Sequence, residues 1–384
     1  MQQLLDLMKT VLDHGVDIHP DDERTGAGCR SIFGAQLRFD LQNNQFPVMT
    51  TRQVPIKSAI RETLWFLKGE RNITELKEQG VNFWDDWATT QQSHVNFLSR
   101  LETMGVMSPQ EASMILMNTP KDVYGEIGDM YGAMWRHWPR NPEVGVSAIE
   151  INNTQLSDIP PDTLARGREL WAAMPAGEPS DAEAWDDPPT QAMYQNNEEI
   201  FLKLFFLSTV DQIALLIKGL KENPYSRRHV VVAYNPSYTP IEGIPPNEQP
   251  FLGRGSLPAC HAFFQVFVAP PATVGGKKRL SLKVELRSWD LGLGAPSNII
   301  GYALLAHLLA REVGYDAHEL IVSAGIAHLY TNQLDTATEH VQRTSGAPST
   351  IQFTGTKSIY EITDDDIQIT GYIPQAPLNY ARNV

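Results

Sequence analysis

Short segments spread along the chain carry side chains able to do chemistry. In "LPACHAFFQVFV" Cys260 stands beside His261 at the start of an alternating apolar run. A thiol placed so is either a small buried side chain on a strand or a nucleophile whose activating groups come from elsewhere in the fold. "NPYSRRHVVV" sets Arg227 and Arg228 side by side ahead of a strand. Two guanidiniums converging from a loop suit a phosphate dianion, although a solvated surface pair looks the same in sequence. "VELRSWDLGLGAPSN" adds Arg287, Ser288, Asp290 and Asn298. Arg287 and Ser288 close an apolar strand, where a ligand can approach. If buried, Asp290 or Asn298 needs a hydrogen-bonding partner, and a heterocycle edge is one. The plainer reading is a Gly-rich turn in which Asn298 caps the next helix. His328 and Tyr330 in "AGIAHLYTN" lie two apart, hence on one face of an extended segment, where they fit either a sugar or a core. Glu62 in "IRETLWFLKG" lies among Leu64, Trp65 and Phe66. Burial there raises a carboxyl pKa and lets the group carry protons.

These segments need a scaffold. "QLLDLMKTVLDHG", "PIKSAIRETLWFLKG" and "NIIGYALLAHLLAREVG" have helical apolar spacing, and the third is apolar enough to be central. "SIFGAQLRFDL", "HVVVAYN", "HAFFQVFVA" and "LSLKVELRS" read as strands. "EEIFLKLFFLSTVDQIALLIKGLKEN" reads as one long helix. Two regions break the pattern. A polar stretch over about 89–121 holds a short helix at "SPQEASMILMN", and a Pro-rich, acidic stretch over about 139–197 holds one at "TLARGRELWAAM". The second, with its Pro pairs and acidic clusters, cannot bury a core, and both are expected as surface insertions in one catalytic domain spanning 1–384. Helices and strands interleave without a regular βαβ rhythm, which predicts an α+β fold with a mixed sheet packed by helices around the long central apolar one.

The bulk properties exclude several classes. A net charge of −14 argues against a nucleic-acid coat or an anionic membrane surface as partner, while leaving room for a local phosphate pocket. Cys29 and Cys260 are the only cysteines, too few for a disulfide framework and suggestive of a reducing compartment. The N-terminus lacks a signal-type apolar core, and no run of 18 apolar residues occurs. A cytoplasmic setting is therefore expected. With no CxxC, HExxH or EF-hand spacing, no metal is expected.

The order of the motifs is more specific than any one of them. "DDERTGAGCRSIFGAQLRFDL", "FPVMTTRQVPIKSAIRETLWFLKG", "VNFWDDWA", "MYGAMWRHW", "YSRRHVVVAYNP", "CHAFFQVFV", "RSWDLGLGAPSNIIGYALL", "AHLYTN" and "ITGYIPQAP" resemble, in that order, the thymidylate synthase family. The resemblance covers the chain apart from the two insertions. It implies that Cys260 adds to C6 of dUMP, and that C5 then takes the one-carbon unit of 5,10-methylenetetrahydrofolate. Arg24, Arg287 and Ser288 match phosphate-binding positions. Arg227 and Arg228 match a pair that reaches the partner's phosphate in a homodimer. His328 and Tyr330 match the groups on the deoxyribose hydroxyl, and Asn298 matches the amide that reads the uracil edge. Glu62, Tyr131 and His261 match a proton relay. Asp290, Trp84 and Arg52 match the folate site, and Arg382 falls in the tail that closes over it.

Departures from the family pattern bear on the last step. Ala259 replaces a usual Pro, Leu286 a Gln, Ser297 a Phe and Ile326 an Asp, and the usually apolar tail reads "LNYARNV". Leu286 and Ile326 are expected to be a paired swap, two polar partners lost together. In a synthase a hydride from the folate finishes the methyl group. In the related hydroxymethylases, known in bacteriophages, water adds instead. For a phage-encoded chain the cytoplasm would be that of the host. Arg382, Asn383 and Ser297 favour water addition and a 5-hydroxymethyl-dUMP product, with dTMP and dihydrofolate as the alternative. Retention of Trp84 and Tyr131 favours that alternative. A non-catalytic binding protein is the contrasting class, and the retained thiol and arginines weigh against it. Replacing Cys260 by Ser should lower turnover of dUMP by about a thousandfold or more, because a hydroxyl is a far weaker nucleophile at neutral pH. Steady-state turnover of the variant measures this directly, and near-wild-type activity would rule Cys260 out.

Overall fold

The structure is a computed structural model that describes residues 1–22, 26–139, 155–159, 161–173, 197–207 and 209–383. The chain divides into two compact units, one made of Met1–Arg136 and Ile213–Val384, the other of His137–Gln212. The sequence pattern predicts an insertion over about 139–197 in a single domain, the region that contains most of this second unit.

The larger unit is built on a six-stranded sheet. In chain order its strands are β1 (Val16–Ile18), β2 (Cys29–Asp40), β6 (Val230–Val232), β7 (His261–Ala269), β8 (Arg279–Asp290) and β9 (Asp316–Tyr330), arranged in the order β1-β2-β9-β8-β7-β6. All neighbours are antiparallel except β8 and β9. A parallel pair needs a crossover, and the helix Gly294–Glu312 makes it between the end of β8 and the start of β9. Thirteen of its residues are buried, which explains why its sequence has no polar face. One face of the sheet supplies Leu37, Phe264, Val266, Leu282, Val284, Leu320 and Val322 to the same core. The helix Ile56–Lys68 packs beside the central helix and ends at Gly69, whose φ of 77° is the left-handed conformation a C-cap glycine provides. A smaller sheet joins β10 (Ser349–Phe353) to β11 (Ile367–Thr370) and to β3 (Gln45–Phe46). The mixed sheet packed by helices agrees with the α+β expectation.

Several local expectations needed correction. The region 89–121 contains two helices, Gln91–Thr103 and Pro109–Asn118, each opened by a capping box, around a small cluster of Phe97, Leu98 and Ala112. Their thin apolar stripes hid the first of them from a periodicity argument. The single long helix expected from Glu198 is interrupted. Glu198–Leu207 and Gln212–Glu222 are separate, with β5 (Thr209–Val210) between them. Thr and Val are β-branched and favour extended backbone, and here they pair with β4 (Trp138–Pro139). Within the second unit Ile159, Phe201 and Leu202 form a cluster with Leu164 and Trp171 from Pro161–Ala173, the helix expected at "TLARGRELWAAM". Most of the acidic stretch 139–197 lies outside the described residues. Asn298 does not cap the central helix. The helix begins at Gly294, and the turn before it is held by Asp290, whose Oδ1 accepts the N–H groups of Gly292 at 2.9 Å and Leu293 at 3.3 Å. Leu286 and Ile326 occupy neighbouring strands, two positions out of register, with Leu286 opposite Ala324 and Ser288 opposite Ile326. Leu286 is buried and Ile326 is 43% exposed, so the two do not share an environment.

Candidate functional site

Cys260 is the residue immediately before β7, and three fixtures hold it. Its N–H donates to the Tyr131 hydroxyl at 3.0 Å, and its carbonyl accepts the N–H of Arg287 at 2.9 Å. The Arg287 guanidinium reaches back over the same turn. Nε donates to the Ala259 carbonyl at 3.1 Å, and Nη2 donates to the Pro258 carbonyl at 2.6 Å and to the Cys260 Sγ at 3.5 Å. Cys260 is therefore partly buried, with its sulfur beside the Arg287 guanidinium. Tyr131 has a φ of 44°, left-handed backbone that a bulky residue seldom adopts. Gly132 follows it because the chain passes so close to the helix Ile56–Lys68 that a Cβ would lie 2.3 Å from the Phe66 carbonyl oxygen.

Cys260 opens into a cavity of about 390 Å³. Its lining includes the aromatic side chains of Phe66, Phe83, Trp84, Trp87 and Tyr131 and, from the start of the central helix, Ser297 and Asn298. Glu62, His261, Ser288, Asp290, Arg52, Arg382 and Asn383 complete the lining. Of the residues singled out in the sequence, these share one cavity with Cys260. Trp84 Nε1 donates to Glu62 Oε1 at 2.7 Å. Burial pushes the Glu62 carboxyl up to about 7, and the Trp84 bond opposes that shift. His261 lies between the rings of Tyr131 and Tyr302, at 5.0 and 5.2 Å. Burial lowers it to about 4, against a hydrogen bond with Asn298, so it is neutral at pH 7. Burial also raises Tyr131 well above the usual tyrosine range and raises Asp290, the latter opposed by His328 and by the turn N–H groups.

The remaining candidates are placed as follows. His328 stands opposite Asp290 in the β8–β9 ladder, and its ring meets that of Tyr330 edge-on at 5.0 Å. Arg227 and Arg228 are exposed and are not part of the cavity lining. Arg24 lies outside the described residues. Among the described residues no cluster of three metal-ligating side chains occurs, and no helix is long and apolar enough to cross a membrane.

The tail is anchored more extensively than its polarity suggests. Tyr380 is buried, with its hydroxyl 2.8 Å from His340 Nδ1 and its ring 5.1 Å from the Arg52 guanidinium carbon. Arg52 Nη2 donates to the Gly292 carbonyl at 2.6 Å. Gly292 lets Tyr380 and Gln333 pack close, since a Cβ there would lie 2.6 Å from a Tyr380 ring carbon and 2.7 Å from Gln333 Oε1. Gln333 Nε2 donates to the Ala381 carbonyl at 2.9 Å. Arg382 pairs with Asp86 at 2.8 Å and donates to the Phe83 carbonyl at 3.0 Å, while Asn383 exchanges hydrogen bonds with Asn332. A tyrosine in an otherwise polar tail was the signal that could have found this anchor. Trp87, three residues after Trp84, likewise went unmarked.

The Glu62 titration is directly measurable. A 13C NMR titration of its carboxyl should give a midpoint near pH 7. Trp84→Phe removes the donor that favours the ionised form and should move the midpoint upward. A lower or unmoved midpoint in the variant would contradict this account of the pair.

The sequence profile of thymidylate synthase matches residues 2–384. The thymidylate synthases of Listeria innocua and Listeria monocytogenes are each 32% identical to this chain, over 97% of both sequences. A thiol, a buried carboxyl and an aromatic cavity lining thus occur on a chain matched over residues 2–384, and the chain belongs to the thymidylate synthase family, a folate-dependent one-carbon transferase acting at C5 of a pyrimidine nucleotide.

Proposed function

We propose that this protein converts dUMP to dTMP, with 5,10-methylenetetrahydrofolate as co-substrate and Cys260 as nucleophile. The observation that carries this reading is the Cys260 sulfur, 3.5 Å from the Arg287 guanidinium, in the same cavity as Glu62, His261 and Asn298.

The folate fits the residues present. Phe83, Trp84 and Trp87 offer flat apolar faces to a fused ring, and Asp290 offers a buried acceptor for its N–H groups. Arg52 has a buried Nε with no hydrogen-bond partner, available to an acidic or carbonyl group. When bound, the folate supplies the carbon and, for dTMP, the hydride. The chain's own residues do the rest. The Cys260 sulfur adds to C6 of the pyrimidine, which makes C5 nucleophilic. Arg287 orients the sulfur, and with Ser288 it faces the phosphate. Asn298 can donate to one uracil atom and accept from its neighbour, a pattern that cytosine reverses. Glu62, poised near neutrality, moves the proton at C5 and the carbonyl. Tyr131 stays protonated and fixes the Cys260 backbone. His328 and Tyr330 hold the sugar hydroxyl.

A homodimer is part of the proposal. Phe33 and Ile326 face each other across β2 and β9 at 87% and 43% exposure, and Phe267 on β7 is 65% exposed. Apolar side chains on an uncovered sheet call for a partner surface. Arg227 and Arg228, exposed and outside the cavity of their own chain, suit delivery to a partner's phosphate.

The choice of product turns on the tail. Arg382 and Asn383 raised the expectation of water addition, yet both are engaged in tethering the tail, to Asp86 and the Phe83 carbonyl and to Asn332. A tethered tail excludes water, as hydride transfer requires. The names of the Listeria relatives support the same product. The hydroxymethyl product remains the second reading because Ser297 places a hydroxyl in the cavity wall. Incubating the protein with dUMP and methylenetetrahydrofolate should yield dTMP and an equal amount of dihydrofolate, read by nucleotide mass and by dihydrofolate absorbance. A nucleotide heavier by one oxygen, with tetrahydrofolate retained, would establish the second reading instead.

A further inference from the structure

Behind Glu62 lies a second, much smaller chamber of about 20 Å³. Its walls include Glu62, Thr63, His261, Ser297, Gly301 and Tyr302. Glu62, His261 and Ser297 also line the main cavity, so the chamber adjoins the site. That volume accommodates one water molecule, and a buried water needs two to four polar partners. The chamber provides them. Glu62, Tyr302 and Ser297, each with a polar side-chain end, are among its lining residues, and His261, buried to nine-tenths, has an Nδ1 with no hydrogen-bond partner. An orphaned buried nitrogen costs about 1–3 kcal/mol unless something satisfies it. The room comes from two small residues on the central helix. A Cβ at Gly301 would lie 2.8 Å from the Thr63 hydroxyl oxygen, and Ser297, itself small, is among the lining residues of the same chamber.

We propose that Ser297 is a positioning residue, holding in this chamber a water through which Glu62 and His261 exchange a proton during the reaction. The transfer is balanced. As the Glu62 carboxyl gives a proton to the water, the water gives one to His261 Nδ1, and the reverse step restores both. No other reactant is needed. The inference rests on the relay role given to Glu62 and His261 above, and it assigns Ser297 a function whichever product forms.

Tritium release from [5-3H]dUMP, with methylenetetrahydrofolate present, tests both levels separately. Other titratable or charged groups face Glu62: Tyr302 and His261 from the chamber, and Tyr131, Cys260, Asp290, Arg52 and Arg382 from the main cavity. The pH dependence is therefore compared between variants that leave all of these in place. Ser297→Ala should slow release about tenfold, leave the KM for dUMP within about twofold, and move the limb of the rate profile near pH 7 upward, because the ionised carboxyl loses a donor. Gly301→Ala keeps the hydroxyl and removes the room, so it should shift the same limb, which guards against a folding defect in either variant alone. Ser297→Thr, which restores a hydroxyl, should recover part of the loss. Wild type that releases no tritium would refute the proposed function. Active wild type with an unshifted profile in both Ser297→Ala and Gly301→Ala, whether or not their melting temperatures fall, would overturn the chamber's role.

Discussion

The grip of Arg287 on the turn at Pro258–Cys260 is the interaction on which the rest of the site depends. One side chain from the end of β8 bonds two successive carbonyls and the thiol, and its own N–H bonds a third carbonyl. The planar fork of a guanidinium makes several directed bonds at once, which a lysine cannot reproduce. Tyr131 holds the same turn from the other side through the Cys260 N–H. The thiol is thus fixed before any ligand arrives, and preorganisation of this kind reduces the rearrangement left for the reaction itself. The sheet exists, functionally, to bring the end of β8 against the start of β7.

Burial sets the electrostatic character of the cavity. Glu62 and Asp290 are pushed toward their neutral acids, and His261 is pushed toward its neutral base. Glu62 is therefore poised to give or take a proton near neutral pH, in a cavity that the Arg52 and Arg382 side chains also line. The central helix contributes to both properties. Its apolar body dries the core, and its first turns deliver Ser297 and Asn298 to the cavity. Asp290 links these roles structurally, since the oxygen that closes the turn into the helix belongs to a carboxylate that also lines the cavity.

Residues that signal by type and spacing were legible in the sequence. Cys260, Glu62 and the pair Asp290 and Asn298 come from three separate segments and meet in one cavity. The strands at β2, β7 and β8 and the central helix were legible because each has one strong periodicity. The first half of β9 was not, because "DAHELIVS" mixes polar and apolar residues on a strand whose partners are distant in sequence. Pairings of that kind are decided by tertiary context rather than by propensity. The break at Thr209–Val210 was hidden by apolar helical patterns on both sides. The tail was read by polarity alone. Its anchorage depends on Tyr380 meeting His340 and Arg52, contacts between segments far apart in the chain. Asn298 shows the opposite error, because its residue type suggested a cap while the true turn closure came from eight residues earlier in the sequence, at Asp290.

The central claim is that Cys260, as held by Arg287 and Tyr131, bonds to C6 of the nucleotide. Its most direct measurement is the intact mass of the protein after incubation with 5-fluoro-dUMP and methylenetetrahydrofolate, followed by peptide mapping. Fluorine at C5 cannot leave as the proton does, so the reaction should stall with nucleotide and folate attached. The account predicts a mass increase equal to both molecules, mapped to the peptide containing Cys260 and absent from Cys260→Ala. An unmodified wild-type protein, or an adduct mapped to Cys29, would contradict it.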